Sequence, residues 1–343
     1  MQSMVDKSKY VEKTYKIDKS VENILNTIIT ISKDNNKYYV FPLSDYSALF
    51  CDEYFDKVPH NVIMPNAMGD MRRLENKYVM ANLAEQIGLK TPKHIEINLQ
   101  NTEELNWNIF PTIIKPLLSI DGLKSDITIV YNLSELKKSL KKFVEKGYNR
   151  VLLEQYITGK EEYMIEILGY VDKSNNIFFS NIIHKVREFP IKNGSTSYAY
   201  FTDEEKDIDK TMLAKFVKKC NFWGIFDFEF KYSDGKSYFI EMNFRNGAPS
   251  YASTISGLNI PYCWMLNKNS KNLKKKNFSF MIEQNDIINL LRGEVKLKDW
   301  IYEFLTAKKI FWKWKDFSPC LSYYNNLILQ IIRRRKWKKQ IGK

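Results

Sequence analysis

The sequence is poor in the features of disulfide-stabilised, zinc-binding and membrane-spanning proteins. Its 343 residues include four cysteines with no CxxC pair, at positions 51, 220, 263 and 320. This spacing supports neither a zinc site nor a disulfide framework, so we expect buried free thiols in a reducing compartment. No apolar run approaches the roughly 18 residues of a transmembrane helix, and the N-terminus lacks the apolar segment of a secretory signal. We therefore expect a cytoplasmic protein.

Charge is abundant but unevenly distributed. The formal net charge of +13 favours acidic partners, such as nucleotide phosphates, anionic lipid, nucleic acid or an anionic polymer. Much of the excess lies in residues 268–276 and in the last thirteen residues, which carry seven basic side chains and no acid. Because the body of the chain is only mildly basic, net charge alone says little about the central function.

The length suffices for two or three packed lobes. We predict an N-terminal α/β lobe over 1–69, a central domain over 70–265, and a basic, aromatic C-terminal extension over 266–343. Hydrophobic periodicity predicts the following elements: helices at 18–35, 70–87, 135–146 (capped by Ser134) and 204–220, and strands at 38–42, 111–116, 127–131, 151–155, 162–170, 177–185, 225–232 and 237–243.

The last two predicted strands form the most informative segment. Between them an Asp-Gly pair predicts a tight hairpin turn. Strand alternation then places Glu229 on one face of the first strand, and Glu241, Asn243 and Arg245 on one face of the second. Pairing can bring Glu229 opposite Glu241 and Asn243, a set of hard oxygen ligands that suits Mg²⁺. A solvated polar face on an amphipathic hairpin is the alternative.

The same segment resembles the metal-binding strands of the ATP-grasp superfamily, especially its biotin carboxylase and carbamoyl-phosphate synthetase branch. There an acidic residue and a short hairpin precede the motif E-[IM]-N-x-R, and the spacing of the two acids matches. The matching residues are Glu229, Glu241, Asn243 and Arg245. Phe244 stands where the family usually has Pro or Thr, and Asp227 could compete for the metal role.

Further matches occur upstream in the family's order. The resemblance implies that Lys77 and Lys115 neutralise nucleotide phosphates. The loop after Pro116 is usually glycine-rich; here only Gly122 is present, and Lys124 and Ser125 would replace backbone donors. The segment with the adenine-binding hinge would comprise Glu154, Gln155, Tyr156 and Ile157. Of two candidates for the ribose-binding acid, Glu161 and Glu162, the alignment favours Glu162.

Lys185 and Arg187 lie on one face of a strand that resembles the substrate end of this branch. The resemblance implies that they hold a carboxylate or developing phosphoryl charge beside Arg245, although a basic edge strand also explains Arg187. The resemblance to the superfamily spans roughly residues 70–260. It implies an ATP-grasp fold, with a truncated N-terminal α/β lobe and two α+β subdomains that sandwich ATP. It also implies Mg²⁺ (or Mn²⁺) as the metal.

Within the superfamily the chain looks most like the D-aspartate ligase and carbamoyl-phosphate-synthetase-like carboxylate–amine ligases. Such enzymes activate a carboxylate as an acyl phosphate and transfer it to an amine, here an amino acid or a cell-surface precursor. Two alternatives stay open: a catalytically weak protein that binds ATP, an anionic polymer or nucleic acid, and a bicarbonate-phosphorylating, carboxylase-like enzyme. No nucleic-acid motif is recognisable, so nucleic acid is not an expected partner.

The two ends of the chain differ from the central domain in what they lead us to expect. The first βα unit of the N-terminal lobe is expected to be missing, which fits either a short variant or a fragment. Residues 325–343 read as an apolar or amphipathic helix followed by a basic cluster at 333–339. That tail suits peripheral contact with an anionic membrane, and a solvated basic tail is the alternative.

Overall fold

The computed structural model describes residues 4–18, 20–101, 105–122, 126–191, 194–204, 207–267 and 277–341, with side chains as far as Leu329. It divides into two compact units. The larger unit consists of Leu25–Val186 and Tyr200–Asn277, and the smaller unit consists of Met1–Ile24, Arg187–Ala199 and Phe278–Lys343. The three-part division expected from the sequence stays a prediction.

Helices and strands alternate in the first half of the chain, and strands dominate from residue 150 to 243. The helices are α1 (Val21–Ile31), α2 (Asp45–Tyr54), α3 (Met71–Leu74), α4 (Lys77–Ile87), α5 (Leu133–Glu145), α6 (Lys210–Lys219), α7 (Ser250–Ser256), α8 (Ile260–Leu266), α9 (Glu283–Leu291), α10 (Leu297–Thr306) and α11 (Ser318–Ile341). The strands are β1 (Tyr38–Tyr39), β2 (Val62–Ile63), β3 (His94–Asn98), β4 (Thr112–Lys115), β5 (Thr128–Val130), β6 (Arg150–Gln155), β7 (Glu162–Val171), β8 (Ile177–Phe179), β9 (Ile182–Phe189), β10 (Ser195–Thr202), β11 (Ile225–Ser233), β12 (Lys236–Asn243), β13 (Phe278–Met281) and β14 (Lys308–Lys309).

A buried carboxylate shapes the turn that leads into the central part of the larger unit. Asp52, on α2, accepts hydrogen bonds from the backbone amides of Ala67 (2.5 Å), Gly69 (3.1 Å) and Met71 (2.8 Å). The bonds to Ala67 and Met71 satisfy amides of buried residues that would otherwise lack partners. The turn therefore holds α3, and the start of α4 behind it, in a fixed position.

The single helix predicted over 70–87 is interrupted. It forms α3 and α4 because the side chain of Asn76 accepts from the amides of Tyr78 and Val79 and so caps a new helix. Gly88, with φ of 97°, ends α4 in the left-handed conformation that glycine adopts without strain. The break places Lys77 at the first position of α4, and its amide donates to the carbonyl of Leu117 (2.9 Å).

The larger unit contains a four-stranded antiparallel sheet in the order β3-β6-β4-β5. Helix α5 covers one face, where Leu136, Leu140 and Phe143 pack with apolar residues of β6. The predicted cap of this helix was wrong: α5 begins after Asn132, whose side chain accepts from the amide of Glu135, and not after Ser134. This sheet carries Lys115 on β4, and Glu154 and Gln155 on β6.

A second sheet of the larger unit has the order β12-β11-β7-β9, with β8 on β7. The predicted hairpin of β11 and β12 is confirmed, and its turn has positive φ at both Asp234 (44°) and Gly235 (88°). The strand expected over 177–185 is divided into β8 and β9, and β10 was not predicted. One face of this sheet packs against α4 and α6 through a core rich in aromatic side chains, including Phe216, Phe228 and Phe239.

The smaller unit is built around α9, α10 and α11 with the parallel pair β13 and β14. Buried Glu283, the first residue of α9, accepts from the backbone amides of Ile310, Phe311 and Trp312 and so fixes the segment after β14.

No helix among the described residues is both long and apolar enough to cross a membrane. The four cysteines are free and buried, as predicted.

Candidate functional site

Three carboxylates form a row across adjacent strands of the second sheet. Glu229 on β11 is in register with Glu166 on β7 and with Glu241 on β12. The predicted pairing of Glu229 with Glu241 is thus present, while Asn243 lies opposite Asp227. Like charges placed directly opposite one another repel, so this row is stable only where cations lie beside it.

Two lysines supply part of that compensation. The Nζ atom of Lys185, on β9, lies 2.5 Å from Oε1 of Glu166 and 3.1 Å from Oε2 of Glu229. The Nζ atom of Lys77 lies 3.6 Å from Oε2 of Glu241. Lys185 and Glu166 are almost fully buried, whereas the side chains of Glu229 and Glu241 keep 20% and 25% of their exposure. The partly exposed pair is therefore the accessible end of the row.

Asn243 and Arg245 extend the site along β12. The Asn243 side-chain amide donates to Oε1 of Glu229 (3.4 Å), and its Oδ1 accepts from Nη2 of Arg245 (3.1 Å). Nε of Arg245 donates to Oδ1 of Asp45, at the start of α2 (2.6 Å). Burial lowers the pKa of Arg245, but Asp45, Asp227 and Glu229 together outweigh burial and raise that pKa overall. The guanidinium is therefore a fixed positive charge.

Asp227 lies behind the row and is 2% exposed. Its Oδ1 finds no hydrogen-bond partner among the described residues. Burial, reinforced by Glu166 and Glu229, raises its pKa well above the usual range of an aspartate. One carboxylate oxygen from each of these three acids lies within 4.8 Å of the others. These carboxylate oxygens, with Oδ1 of Asp227 unsatisfied, are donors of the type that suits a divalent cation of the Mg²⁺ class. The cluster shares Glu229 with the predicted ligand set and does not include Glu241.

The backbone after β12 lies close to Asp227, so the site has no room for a side chain at Gly247. A Cβ atom on Gly247 would lie 2.5 Å from Oδ2 of Asp227 and 2.8 Å from Cδ2 of Leu168, both buried. Gly247→Ala is expected to lower the free energy of unfolding by roughly 1–3 kcal/mol, the usual cost of overpacking. Urea denaturation measures this, with Ala248→Ser as the control at the exposed neighbouring position. Equal midpoints for the two variants would contradict the close approach.

Lys77 connects the carboxylate row to the loop after β4. Besides its contact with Glu241, its Nζ donates to Oγ of Ser119 at 2.6 Å. In the sequence-based hypothesis this loop covers the nucleotide phosphates, and Lys77 stands where it would reach both the loop and the metal ligands. Lys124 and Ser125, the predicted loop donors, lie outside the described residues.

The four-stranded sheet brings other predicted nucleotide residues together. Nζ of Lys115 lies 2.5 Å from Oε1 of Glu154, and both side chains are buried. The amide of Tyr156 donates to the carbonyl of Pro111 at 2.9 Å, so this amide already has a partner, and Ile157 next to it is buried. Buried ion pairs hold their members in one geometry, because losing either partner leaves an uncompensated charge. Lys115 is thus held beside the predicted hinge.

Gln155 ends β6 and Glu162 begins β7, so the two residues flank the short segment between these strands. The side-chain oxygen of Gln155 accepts from the amide of Lys93 (3.4 Å). Glu162 accepts from the amide of Gly159 (3.1 Å) and lies 3.5 Å from Nζ of Lys231. The structure therefore gives Glu162 a fixed orientation, while its assignment to the ribose stays a prediction.

Lys185 and Arg187, predicted to act together, have different surroundings. Lys185 lies in the carboxylate row of the larger unit. Arg187 belongs to the smaller unit, where Nε and Nη2 bind both carboxylate oxygens of Asp286 (2.8 and 2.9 Å) and Nη2 also binds Glu303 (2.6 Å). Two carboxylates neutralise this guanidinium, so the contacts favour a structural role for Arg187, and its catalytic assignment stays a prediction.

Sequence reasoning missed Glu166 and Glu75. Glu166 stands within a run of buried apolar residues on β7, and a lone acid in such a run is a signal that could have been used. Glu75 separates α3 from α4, is 9% exposed, and has an Oε2 atom with no hydrogen-bond partner among the described residues. Burial and the nearby Asp45 raise the pKa of Glu75 to about 8.

Comparison with known proteins agrees with this geometry. Residues 76–266, more than half of the chain, match the family model described as the carbamoyl-phosphate synthase L chain, ATP binding domain. The chain belongs to the ATP-grasp family. Its α/β architecture is the ATP-grasp fold, which confirms the fold class and the resemblance expected from the sequence.

Individual relatives are distant. The D-aspartate ligase of Enterococcus faecium is 23% identical over 257 residues, which span 69% of this chain and 61% of that protein. The biotin carboxylase domain of Hydrogenobacter thermophilus 2-oxoglutarate carboxylase, solved with MgADP, ADP and bicarbonate, has a TM-score of 0.59 at 17% identity and covers 79% of this ATP-grasp chain and 64% of that chain.

An L-amino acid ligase from Bacillus licheniformis has a TM-score of 0.55 at 17% identity, and the match covers 77% of this chain and 66% of that one. This ATP-grasp chain thus spans about three fifths of the D-aspartate ligase and slightly less than two thirds of the two solved structures. At these identities the solved structures show the fold alone.

Proposed function

We propose that this ATP-grasp chain is a carboxylate–amine ligase that cleaves Mg²⁺-ATP (or Mn²⁺-ATP) to activate a carboxylate. The single observation that carries the proposal is the contact of cations with the accessible carboxylates. Lys77 contacts Glu241 and Lys185 contacts Glu229. The two glutamates are in register on the adjacent strands β11 and β12. A metal–triphosphate requires anionic metal ligands with positive side chains close by, and this arrangement supplies both.

The metal ligands in this proposal are Glu229, Glu241 and Asn243. A divalent cation held there would neutralise charge on the phosphates during transfer. Lys77, Lys115 and Arg245 would bind phosphate oxygens, and Lys185 would compensate Glu229 from the buried side. The segment from Glu154 to Ile157 would bind the adenine, and Glu162 the ribose. Lys124 and Ser125 remain proposed contacts of the phosphates.

The chemistry has two steps with balanced atoms. In the first step, an oxygen of the substrate carboxylate attacks the γ-phosphorus of ATP. The bond between the γ-phosphorus and the β–γ bridging oxygen breaks, which yields the acyl phosphate and ADP. In the second, the acceptor nitrogen attacks the acyl carbon, inorganic phosphate departs, and the ammonium proton is lost. The protein positions the reactants and neutralises charge, so no covalent nucleophile on the enzyme is needed.

The names of two similar proteins support a substrate class. One relative is named a D-aspartate ligase and one fold neighbour an L-amino acid ligase. Both names support an amino acid as carboxylate or amine. We accordingly propose amide bond formation between a small carboxylic acid and an amino acid or amino-bearing cell-surface precursor. A cytoplasmic location and peripheral membrane contact of the tail stay predictions; beyond Leu329 the tail's side chains lie outside the described residues.

The direct test is a screen for ADP release. The chain, with ATP and Mg²⁺, is incubated with single and paired D- and L-amino acids, with and without bicarbonate. We expect ADP release above the ATP-only rate with at least one carboxylate, and additional product only when an amine acceptor is present. Coupled measurement of ADP and inorganic phosphate, followed by mass spectrometry of the amide, identifies the pair.

The same screen separates the rival functions. ADP release that requires bicarbonate and no amino acid would support the carboxylase-like activity, for which the fold neighbour with bound bicarbonate gives a reason. Binding of ATP without turnover under any condition would favour the catalytically weak binding protein and contradict the ligase proposal. Glu241→Gln serves as the matched inactive control, because it replaces a proposed metal ligand at a partly exposed position while keeping similar side-chain size.

A further inference from the structure

Helix α10 of the smaller unit uses its inner face for packing. Trp300 and Phe304 stack on each other and pack against a buried cluster that includes Met281. From the same helix Glu303 binds the guanidinium of Arg187 at 2.6 Å. The helix is therefore fixed by this face, and its orientation does not depend on the residues that point outward.

The outer face of α10 is apolar as well. Leu297, Ile301 and Leu305 follow one another at intervals of four residues, so they form one stripe along the helix. Their exposures are 61%, 46% and 73%, and Tyr302 is 70% exposed. A surface helix normally turns polar residues to water on the face opposite the core. A contiguous apolar stripe instead marks a site of interaction.

The charges of the chain segment that carries this stripe favour one occupant over another. From residue 291 to 329 the exposed basic side chains outnumber the exposed acidic ones; the basic ones are Arg292, Lys296, Lys298, Lys308 and Lys315, and the acidic ones are Glu294 and Asp299. A symmetric dimer through this face would place one positive surface against its copy, which repels. An anionic lipid surface offers an apolar layer and compensating negative charge together.

We propose that the outer stripe of α10 docks on an anionic lipid surface and lies in the plane of the interface. Leu297, Ile301 and Leu305 enter the boundary between headgroups and acyl chains, while Lys298 on the same helix contacts lipid phosphate. Trp314, 80% exposed in the segment after β14, is of the residue type that prefers this depth. The inference is independent of the proposed ligase activity and of the basic tail beyond Leu329.

Vesicle co-sedimentation of the full chain tests the proposal. The probes are vesicles of phosphatidylcholine alone and vesicles that also contain phosphatidylglycerol. We expect pelleting with the anionic vesicles that weakens as salt is raised, and little pelleting with the neutral ones. The variant I301E/L305E is expected to reduce the vesicle affinity at least about tenfold, since it places two charges in the apolar layer.

The control variant is L133E/V144E, which makes the same change at two exposed apolar positions of α5 (43% and 51% exposed). It is expected to pellet like the parent. Equal loss in both variants, or failure of the parent chain to pellet, would overturn the proposal whatever the variants' stability. Analytical ultracentrifugation supplies the other decisive outcome: a parent dimer that I301E/L305E dissociates would assign the stripe to a second copy of this chain and not to lipid.

Discussion

Glu241→Gln is expected to abolish the thermal stabilisation that Mg²⁺-ATP gives the parent chain. A ligand present at about 100 times its Kd stabilises the folded state by roughly 2.7 kcal/mol. Glu241 lies in register with Glu229 and keeps a quarter of its side chain exposed, so its carboxylate is available to a metal. The amide of glutamine keeps the size of the side chain but is a much poorer ligand for Mg²⁺ than a carboxylate.

The effect is measured as the difference in Tm with and without nucleotide for each variant separately. This removes any change in intrinsic stability, which is expected to be small because the Lys77–Glu241 contact is partly exposed. Glu145→Gln, at the exposed end of α5, makes the same chemical change away from the site and should keep the full shift. An unchanged shift in Glu241→Gln, or none in the parent, would contradict the metal site.

The hairpin could be predicted because its information is local. An Asp-Gly turn sets the register of β11 and β12, and alternation then fixes which face each side chain occupies. Continued unchanged from the turn, that register would place Glu229 opposite Ile240. A register shift between Glu229 and Phe230 instead brings Glu229 opposite Glu241, as predicted, and Asp227 opposite Asn243; the shift itself has no signal in the sequence.

The rest of the site depends on contacts between segments far apart in the chain. Lys115 contacts Glu154 only because β4 lies beside β6, which follows it after β5 and a helix. Arg187 acquires its two carboxylates from α9 and α10, about 100 residues later, and those contacts favour a structural role, while its catalytic assignment stays a prediction. Periodicity cannot supply such pairings, since strand order and helix docking are set by the whole core.

The two acids missed by the sequence differ in why they were missed. Glu166 lies beside Lys185, which compensates it, so it is readable as a paired buried charge once β7 and β9 are known to be neighbours. Glu75 occupies the short break between α3 and α4, where a continuous helix was predicted. In a continuous helix its burial could not have been anticipated, because the break is what turns the side chain toward Asp45 and Arg245.

That burial makes Glu75 the source of a large expected effect of pH on stability. Burial and the charge of Asp45 raise the pKa of Glu75 from its ordinary value of 4.5 to about 8 in the folded chain. Below pH 4.5 Glu75 is protonated in both the folded and the unfolded chain, so it does not lower the free energy of unfolding. As pH rises, Glu75 ionises first in the unfolded chain, and the free energy of unfolding falls until Glu75 also ionises in the folded chain near pH 8. Folding therefore becomes less favourable across this window.

Glu75→Gln removes the titration while preserving shape. Between pH 5 and pH 8 the stability of the variant relative to the parent is expected to increase by on the order of 3 kcal/mol, since each pKa unit corresponds to about 1.36 kcal/mol. Urea unfolding of both proteins without nucleotide or metal, at several pH values, gives this difference. A constant offset from the new amide cancels, because only the change with pH is used.

The exposed Glu145→Gln variant again provides the control, and its stability should stay parallel to that of the parent over the same range. Parallel curves for Glu75→Gln would mean that Glu75 ionises normally, because Lys77 and Arg245, the nearby charges that lower its pKa, fully offset burial and Asp45. Divergence in the expected direction would show that Glu75, whose pKa Lys77 lowers, is uncharged in the ligand-free chain. A cation that binds at Glu241 would then favour ionisation of Glu75, so Mg²⁺ should reduce the difference between the two proteins at pH 7.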